Sequence, residues 1–225
     1  MADSSVPRFG SMTLDGFVEQ LASSAPVPGG GSAAAVAAAL AAGLVAMVAG
    51  LSTDRPTYAR FAATHERAGR AGRALWERFL GLADEDAAAY GAFAAAMKLP
   101  RISEEDQAAR SAAIRVAAVA AAEVPLRTLE ACRDLVVASE ALAGRSNRNA
   151  ASDLEVASRL AEAAAHGAAE NVIVNLPALG DDERADELRD RMEMLLAEVA
   201  AHAESTRAFV ALGELREPEQ EPPPA

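Results

Sequence analysis

The sequence predicts an all-α fold, an antiparallel helical bundle of about six helices. Three observations carry this. About a quarter of the 225 residues are Ala, the residue that loses no side-chain entropy on entering a helix. Aromatics make up only 4% of a chain that is 51% hydrophobic, with just three Ile and two Tyr, so the β-branched and aromatic signature of strands is thin. Pro and Gly clusters divide the chain into long stretches of helical periodicity.

The elements follow in order. Residues 1–11 read as a loose lead-in, and a first helix is expected near Leu14–Ser23 with Thr13 as its N-cap. Ala25-Pro26-Val27-Pro28-Gly29-Gly30-Gly31-Ser32 is the strongest break in the chain, and an apolar helix follows it to about Leu51. Asp54-Arg55-Pro56 reopens a helix that should continue to Leu99, bent at Gly69, Gly72, Gly81 or Gly91. Ser103-Glu104-Glu105-Asp106 is a capping box with Asp in place of Glu. The helix it opens runs to about Leu142, with a kink or split expected at Pro125. A polar loop over residues 144–153 leads to a helix ending near Leu176, and Gly180-Asp181-Asp182 starts the last helix, to about Leu212. The expected organisation is one helical domain over residues 1–213 and a disordered, acidic, Pro-rich tail over 214–225.

The bulk numbers exclude some function classes. A net charge of −12 and a pI of about 4.7 argue against nucleic acid, which asks for a basic face, and suit a cytoplasmic protein. Cys132 is the single cysteine, so neither an intramolecular disulfide nor a Cys-rich zinc site is available. The opening Met-Ala-Asp-Ser-Ser lacks the layout of a signal peptide. No charge interrupts Leu21 to Thr53, a length that can span a bilayer. Its Ala and Gly give little transfer energy, however, which favours a helix buried in a bundle over a membrane partner.

Several motifs can carry chemistry, and each also has a plain structural reading. Pro28-Gly29-Gly30-Gly31-Ser32 opens a helix whose first N–H groups favour an anion, and its glycines permit unusual torsions and close ligand approach; it can equally be a turn capped by Ser32. Asp86, Tyr90, Phe93 and Met97 share one helix face, where a carboxylate costs stability unless it is paired or used. Asp84-Glu85-Asp86 can also be a solvated acidic patch. Lys98 can bind an anion or simply complement a helix C-terminus. Asn147, Asn149 and Asp153 can read a heterocycle or cap a helix. His65, His166 and His202 have no partner at metal-ligand spacing and read as surface or packing residues; no metal site is expected. Arg55–Arg78 carries six Arg against Glu66 and Glu77, a basic stripe that is either a solvated face or a docking surface for carboxylates.

These pieces occur together and in order, and over residues 12 to about 205 the chain resembles the formiminotetrahydrofolate cyclodeaminase and methenyltetrahydrofolate cyclohydrolase family. The resemblance rests on Thr13-Leu14-Asp15-Gly16-Phe17, residues 26–35, Asp84–Tyr90, Met97-Lys98-Leu99-Pro100-Arg101, Val124-Pro125-Leu126, Asn147-Arg148-Asn149 with Ser152-Asp153, and Asn171–Leu176. The chain departs from the pattern at Val27, where a Thr is common, and at Arg145-Ser146, where a Gly usually precedes the first Asn.

The resemblance implies a homodimer with tetrahydrofolate in a cleft near the dimer interface; small apolar helix faces that need a partner surface point the same way. It implies hydrolysis of 5,10-methenyltetrahydrofolate to 10-formyltetrahydrofolate or, alternatively, closure of 5-formiminotetrahydrofolate to the methenyl form with release of ammonia. A non-catalytic helical dimerisation module is the reading from another class. The catalytic candidates are Asp86 first, Asp84 second and Lys98; Pro28, Gly29, Gly30, Gly31, Ser32, Tyr90, Asn147, Asn149 and Asp153 are the folate-binding candidates. Arg60, Arg67 and Arg70 are candidates for the polyglutamate tail. No cofactor beyond the substrate is expected. The deaminase is often fused to a formiminotransferase, so a separate formiminotransferase is a conceivable partner.

Overall fold

The computed structural model describes residues 8–218. Among them are six α-helices and no strand: α1 (Leu14–Leu21), α2 (Gly30–Ser52), α3 (Ala62–Met97), α4 (Glu104–Leu142), α5 (Ala151–Asn175) and α6 (Asp182–Leu212). Short connections make successive long helices antiparallel neighbours. The apolar α2 lies at the centre, against α3, α5 and part of α4, and α6 closes the bundle on α4 and α5.

The packing explains the composition. Ala35, Ala38, Ala41 and Ala42 on α2 are fully buried, and these small side chains let helix backbones approach closely. At the α2–α3 crossing the approach is closer than any side chain allows, since a Cβ on Gly72 would lie 2.8 Å from Ala42 O. Phe79, Leu129, Leu135, Leu142 and Leu195 fill the space between the other helices. By length and hydropathy α2 alone among the described helices is long and apolar enough to cross a membrane, but its Ala, Val45 and Val48 side chains are spent on the bundle core.

The caps match their sequence signals. Thr13 Oγ1 accepts from Gly16 N, and Ser103 and Asp106 form the reciprocal capping box.

Five expectations need correction. The segment from Asp54 to Leu99 is not one helix: a 3₁₀ stretch, Pro56–Phe61, precedes α3, because Tyr58 and Phe61 turn inward to be buried. α4 is not split at Pro125 but runs through it, with the orphaned carbonyl satisfied from α5, as described below. The lead-in is not loose throughout, since Phe9–Ser11 form a 3₁₀ turn with Phe9 buried edge-on against Phe17, 5.5 Å between ring centroids. The tail does not come free at residue 214: Arg216 N donates to Gly144 O, its guanidinium stacks 3.5 Å over Phe209, and Arg145 Nε donates to Glu217 O. Residues 1–7 of the lead-in and 219–225 of the tail lie outside the described residues. Last, the α2 expected to be buried in the bundle is not wholly so, because Leu40, Met47 and Leu51 form an exposed apolar stripe along it.

Of the histidines, His65 is buried with Nε2 2.7 Å from Arg145 O, His166 is exposed, and His202 meets the Glu140 carboxylate between α6 and α4. Burial alone would raise the Glu140 carboxyl, but hydrogen bonds from His202 and Ser205 and the charges of His202 and Arg216 hold it below the ordinary range.

Candidate active site

The glycine-rich segment delivers the N-terminus of α2 against the middle of α3. Gly29 is the N-cap, and the preceding Val27–Pro28 peptide is cis. Ser32, fully buried, places its hydroxyl 2.8 Å from Asp86 Oδ2 and 3.1 Å from Ala83 O. The Ser32 backbone also bonds the Asp86 carboxylate. Asp86 itself is therefore an anion at this helix start. A helix N-terminus favours such a charge through its unpaired N–H groups and its dipole.

The glycines matter for space rather than for torsion. None of Gly29, Gly30 and Gly31 has a positive φ, so the unusual backbone expected from the sequence is not used. A Cβ on Gly31 would lie 2.7 Å from Asp86 Cγ, which excludes every other residue while Asp86 stays in place. Gly29 and Gly30 have no neighbour so close, and their bareness keeps the space before the helix open.

That space is a cavity of about 390 Å³, within the range of small-ligand pockets. Asp86, Tyr90 and Phe93 line it from α3, Gly29–Gly31 from the loop and α2, and Asn171, Val174 and Asn175 from α5. Burial raises the Asp86 carboxyl above the ordinary range, and the Ser32 hydrogen bonds pull it partly back. A carboxylate in this state is a stronger base than one in water, and it faces an apolar, half-open chamber that amplifies charge interactions.

The structure gathers some of the sequence candidates and scatters others. Gly29, Gly30, Gly31, Asp86 and Tyr90 line the cavity; Ser32 sits behind Asp86, and Pro28 is buried in the loop beneath. Asp84 is not there. Its Oδ1 accepts from Phe9 N at 2.8 Å, so it pins the N-terminal segment on another face of α3. Lys98 ends α3 twelve residues beyond Asp86, roughly 18 Å away at 1.5 Å per residue, too far to touch the same reacting atom.

Asn147, Asn149 and Asp153 belong to the far end of the bundle. Asn147 N donates to Ser52 Oγ, its Oδ1 accepts from Asn149 N, and its Nδ2 reaches Leu51 O; Asp153 lies in the first turn of α5. All of α2, roughly 33 Å of helix, separates this loop from Gly30 within the protomer. Within the protomer Asn147 caps the 3₁₀ turn Arg148–Ala150.

Nor do the arginines form one stripe beside the cavity. Arg60 is in the 3₁₀ stretch and donates to Arg216 O. Arg67 reaches Thr64 Oγ1, and Arg70 pairs with Glu66. Arg70 lies roughly 24 Å back along α3 from Asp86, away from the end toward which the cavity extends. Among the cavity residues missing from the sequence-based candidates are Phe93, Asn171 and Asn175. The sequence places Phe93 on the Asp86 face and both asparagines in the Asn171–Leu176 segment, but no local pattern reveals that Asn175 pairs with α4 at Ala121 O. Among the described residues no three His, Cys, Asp or Glu side chains gather as a metal site.

Fold and site together define an all-helical protein with a cavity of small-ligand size beside one partly buried carboxylate. Comparison with known proteins gives the class a family. The family model described as formiminotransferase-cyclodeaminase matches residues 13–194. A methenyltetrahydrofolate cyclohydrolase of Methylorubrum extorquens is 38% identical over 192 residues, 85% of this chain and 92% of that protein. The formimidoyltransferase-cyclodeaminase of Rattus norvegicus is 34% identical over 90% of this chain, which spans only 37% of that longer protein. The crystal structure of formiminotetrahydrofolate cyclodeaminase from Thermotoga maritima superimposes with a TM-score of 0.80 at 26% identity, covering 90% of this chain and 97% of that one. The chain belongs to the formiminotransferase-cyclodeaminase family.

Proposed function

We propose that this protein hydrolyses 5,10-methenyltetrahydrofolate to 10-formyltetrahydrofolate, with Asp86 as the catalytic carboxylate. The observation that carries the proposal is the Asp86 carboxylate, held between Gly31 and Ser32 and facing a cavity. The substrate supplies its own electrophile, the cationic N5–C–N10 amidinium bridge. Asp86 stabilises that cation and accepts a proton from water as the C–O bond forms. The carbinolamine then loses its hydroxyl proton to become the formyl C=O while the C–N5 bond breaks and N5 takes up a proton. One proton is released overall. This chemistry asks for no cofactor beyond the substrate.

The cyclohydrolase is preferred to the cyclodeaminase because the relative of that name is 38% identical to this chain, against 34% and 26% for the two cyclodeaminases compared. The cyclodeaminase reading uses the same groups: N10 attacks the formimino carbon, and Asp86 helps deliver the proton with which ammonia leaves. In that case a formiminotransferase would supply the substrate. The third reading, a bare dimerisation module, gives no reason for a partly buried carboxylate facing an apolar cavity, which is costly unless used. One helical domain acts here, in the cytoplasm, as a homodimer joined through the Leu40–Met47–Leu51 stripe of α2. That stripe is apolar, contiguous and uncovered within the chain.

The test uses purified protein. Loss of methenyl absorbance with 5,10-methenyltetrahydrofolate, and no ammonia from 5-formiminotetrahydrofolate, is the expected result. Ammonia release without methenyl hydrolysis would assign the cyclodeaminase instead, and neither reaction would leave the dimerisation module.

A further inference from the structure

The α5 wall of the cavity holds an arrangement that the reaction above does not use. Pro125 sits inside α4 and has no N–H to give the carbonyl four residues back, so Ala121 O lacks its intrahelical donor. Asn175 on α5 fills the vacancy: its Nδ2 donates to Ala121 O at 2.9 Å and to Asn171 O at 2.7 Å. Two carbonyl oxygens at one end of an amide admit a single orientation, because the amide oxygen cannot face them. Both N–H bonds are thereby used, and Oδ1 is the polar function left over. Asn171 is held by a single bond, its Nδ2 donating to Gly167 O of the same helix at 2.8 Å.

Neither Oδ1 meets a protein donor among the described residues, and neither is sealed from solvent. Both asparagines line the cavity that Asp86 enters. With both its N–H bonds taken by backbone carbonyls, Asn175 offers the cavity only its acceptor Oδ1, while Asn171 adds a second Oδ1 and keeps one N–H. An acceptor wall recognises a ligand edge made of donors, and it rejects an edge that presents lone pairs. In a pteridine the donor edge is N3–H with the 2-amino group; O4 is an acceptor.

We infer that Asn175, with Asn171, binds the N3–H and 2-amino edge of the substrate ring, and that Pro125 is a positioning residue that fixes the Asn175 amide by leaving Ala121 O unpaired. The inference rests on the folate reading. It makes the α4 proline a determinant of ring orientation and not a flaw in the helix. It also explains why α4 and α5 are tied at this level by a side-chain amide, where apolar packing alone would hold the helices but present nothing to the ring.

The experiment compares 5-formyltetrahydrofolate, a stable analogue, with its 2-desamino counterpart by calorimetry. The unaltered protein is expected to bind the 2-amino compound at least about tenfold tighter. Asn175→Ala should reduce that ratio to about twofold or less. Because this variant orphans Ala121 O, a double variant, Pro125→Ala with Asn175→Ala, keeps the test clean: the new backbone N–H pairs with Ala121 O, so thermal stability recovers while the ratio stays low. Pro125→Ala alone should leave the melting temperature undiminished and weaken the ratio, since the Asn175 amide is released to rotate; KM for methenyltetrahydrofolate should rise with kcat little changed. If the unaltered protein discriminates and both Asn175 variants discriminate equally well, the asparagine is only a helix clip and the inference is overturned while the folate reading stands. If the unaltered protein binds neither compound, the folate reading falls, and the inference with it.

Discussion

Gly31 and Asp86 touch at a distance that leaves no room for a side chain: a Cβ on Gly31 would lie 2.7 Å from Asp86 Cγ and 2.8 Å from Oδ2. Gly31→Ala should therefore push the carboxylate off the α2 N-terminus and break its bond to Ser32. Overpacking of this kind costs about 1–3 kcal/mol of stability, and turnover should fall at least about tenfold with it. Gly30→Ala is the control. The nearest atom to a Cβ there is Asn171 Nδ2 at 3.7 Å, so the variant should melt like the unaltered protein and lose only substrate affinity. Thermal melts and the methenyl absorbance assay on both variants decide the matter.

Asp86→Asn should separate charge from shape. The carboxyl is raised by burial, against the opposing pull of Ser32. A folded-state value above the unfolded one means that the neutral form is the one folding favours. Any stability this confers is full below the unfolded value and is lost as pH rises through the folded value. At neutral pH the ionised carboxylate is therefore a burden. The Asp86→Asn variant should melt no lower than the unaltered protein, with its advantage shrinking on acidification. Activity should move the other way: a loss of at least about a hundredfold in kcat is expected when the base is removed. In the unaltered protein kcat/KM should fall on the acid side at a pH above the ordinary aspartate value. A variant that melts lower at pH 7 but turns over normally would reverse both assignments.

How much of this was legible in the sequence depended on the range of the interaction. Thr13, Ser103 and Asp106 announce helix ends because a cap is read over three residues. The glycine break and Asp86 were legible as separate motifs. Their contact was not, because Gly31 and Asp86 are far apart in the chain and meet only when α2 lies on α3. Asp84 misled for the same reason: it shares the Asp86 motif, but the peptide that uses it, Phe9, lies 75 residues away. The Asn147 loop looked like a ligand reader because Asn in a loop and Asn at a cap use the same hydrogen bonds. Pro125 signalled a break that the Asn175 amide cancels from another helix.

The exposed stripe of α2 gives the assembly its test. Leu40 is 56% exposed and Met47 39% exposed, two turns apart on one face of a helix that is otherwise core. Charges at both positions, Leu40→Glu with Met47→Glu, should leave the fold intact, since neither side chain is buried in the protomer, and should yield a monomer by light scattering at micromolar concentration. A doubly substituted protein that remains dimeric would move the interface to another face.

The last prediction concerns the carboxylate tail of the substrate. On α3 the cavity lining runs from Asp86 through Tyr90 to Phe93, toward the helix end where Lys98 is exposed. Arg67 and Arg70 lie on the other side of Asp86, already engaged with Thr64 and Glu66. A substrate whose ring sits at Asp86 and whose benzoyl group follows Tyr90 and Phe93 brings its glutamate toward Lys98, roughly 18 Å along the helix. Lys98→Gln should then raise KM for the monoglutamyl substrate about three- to tenfold, the scale of one partly solvated ion pair, with kcat unchanged. The effect should fade as salt rises, because the pair is exposed and screened. Arg67→Gln with Arg70→Gln should change neither KM nor the response to a pentaglutamyl tail. A fall in kcat at constant KM for Lys98→Gln would instead place the lysine in the chemical step. A loss of pentaglutamate preference in the double arginine variant would send the tail the other way along α3.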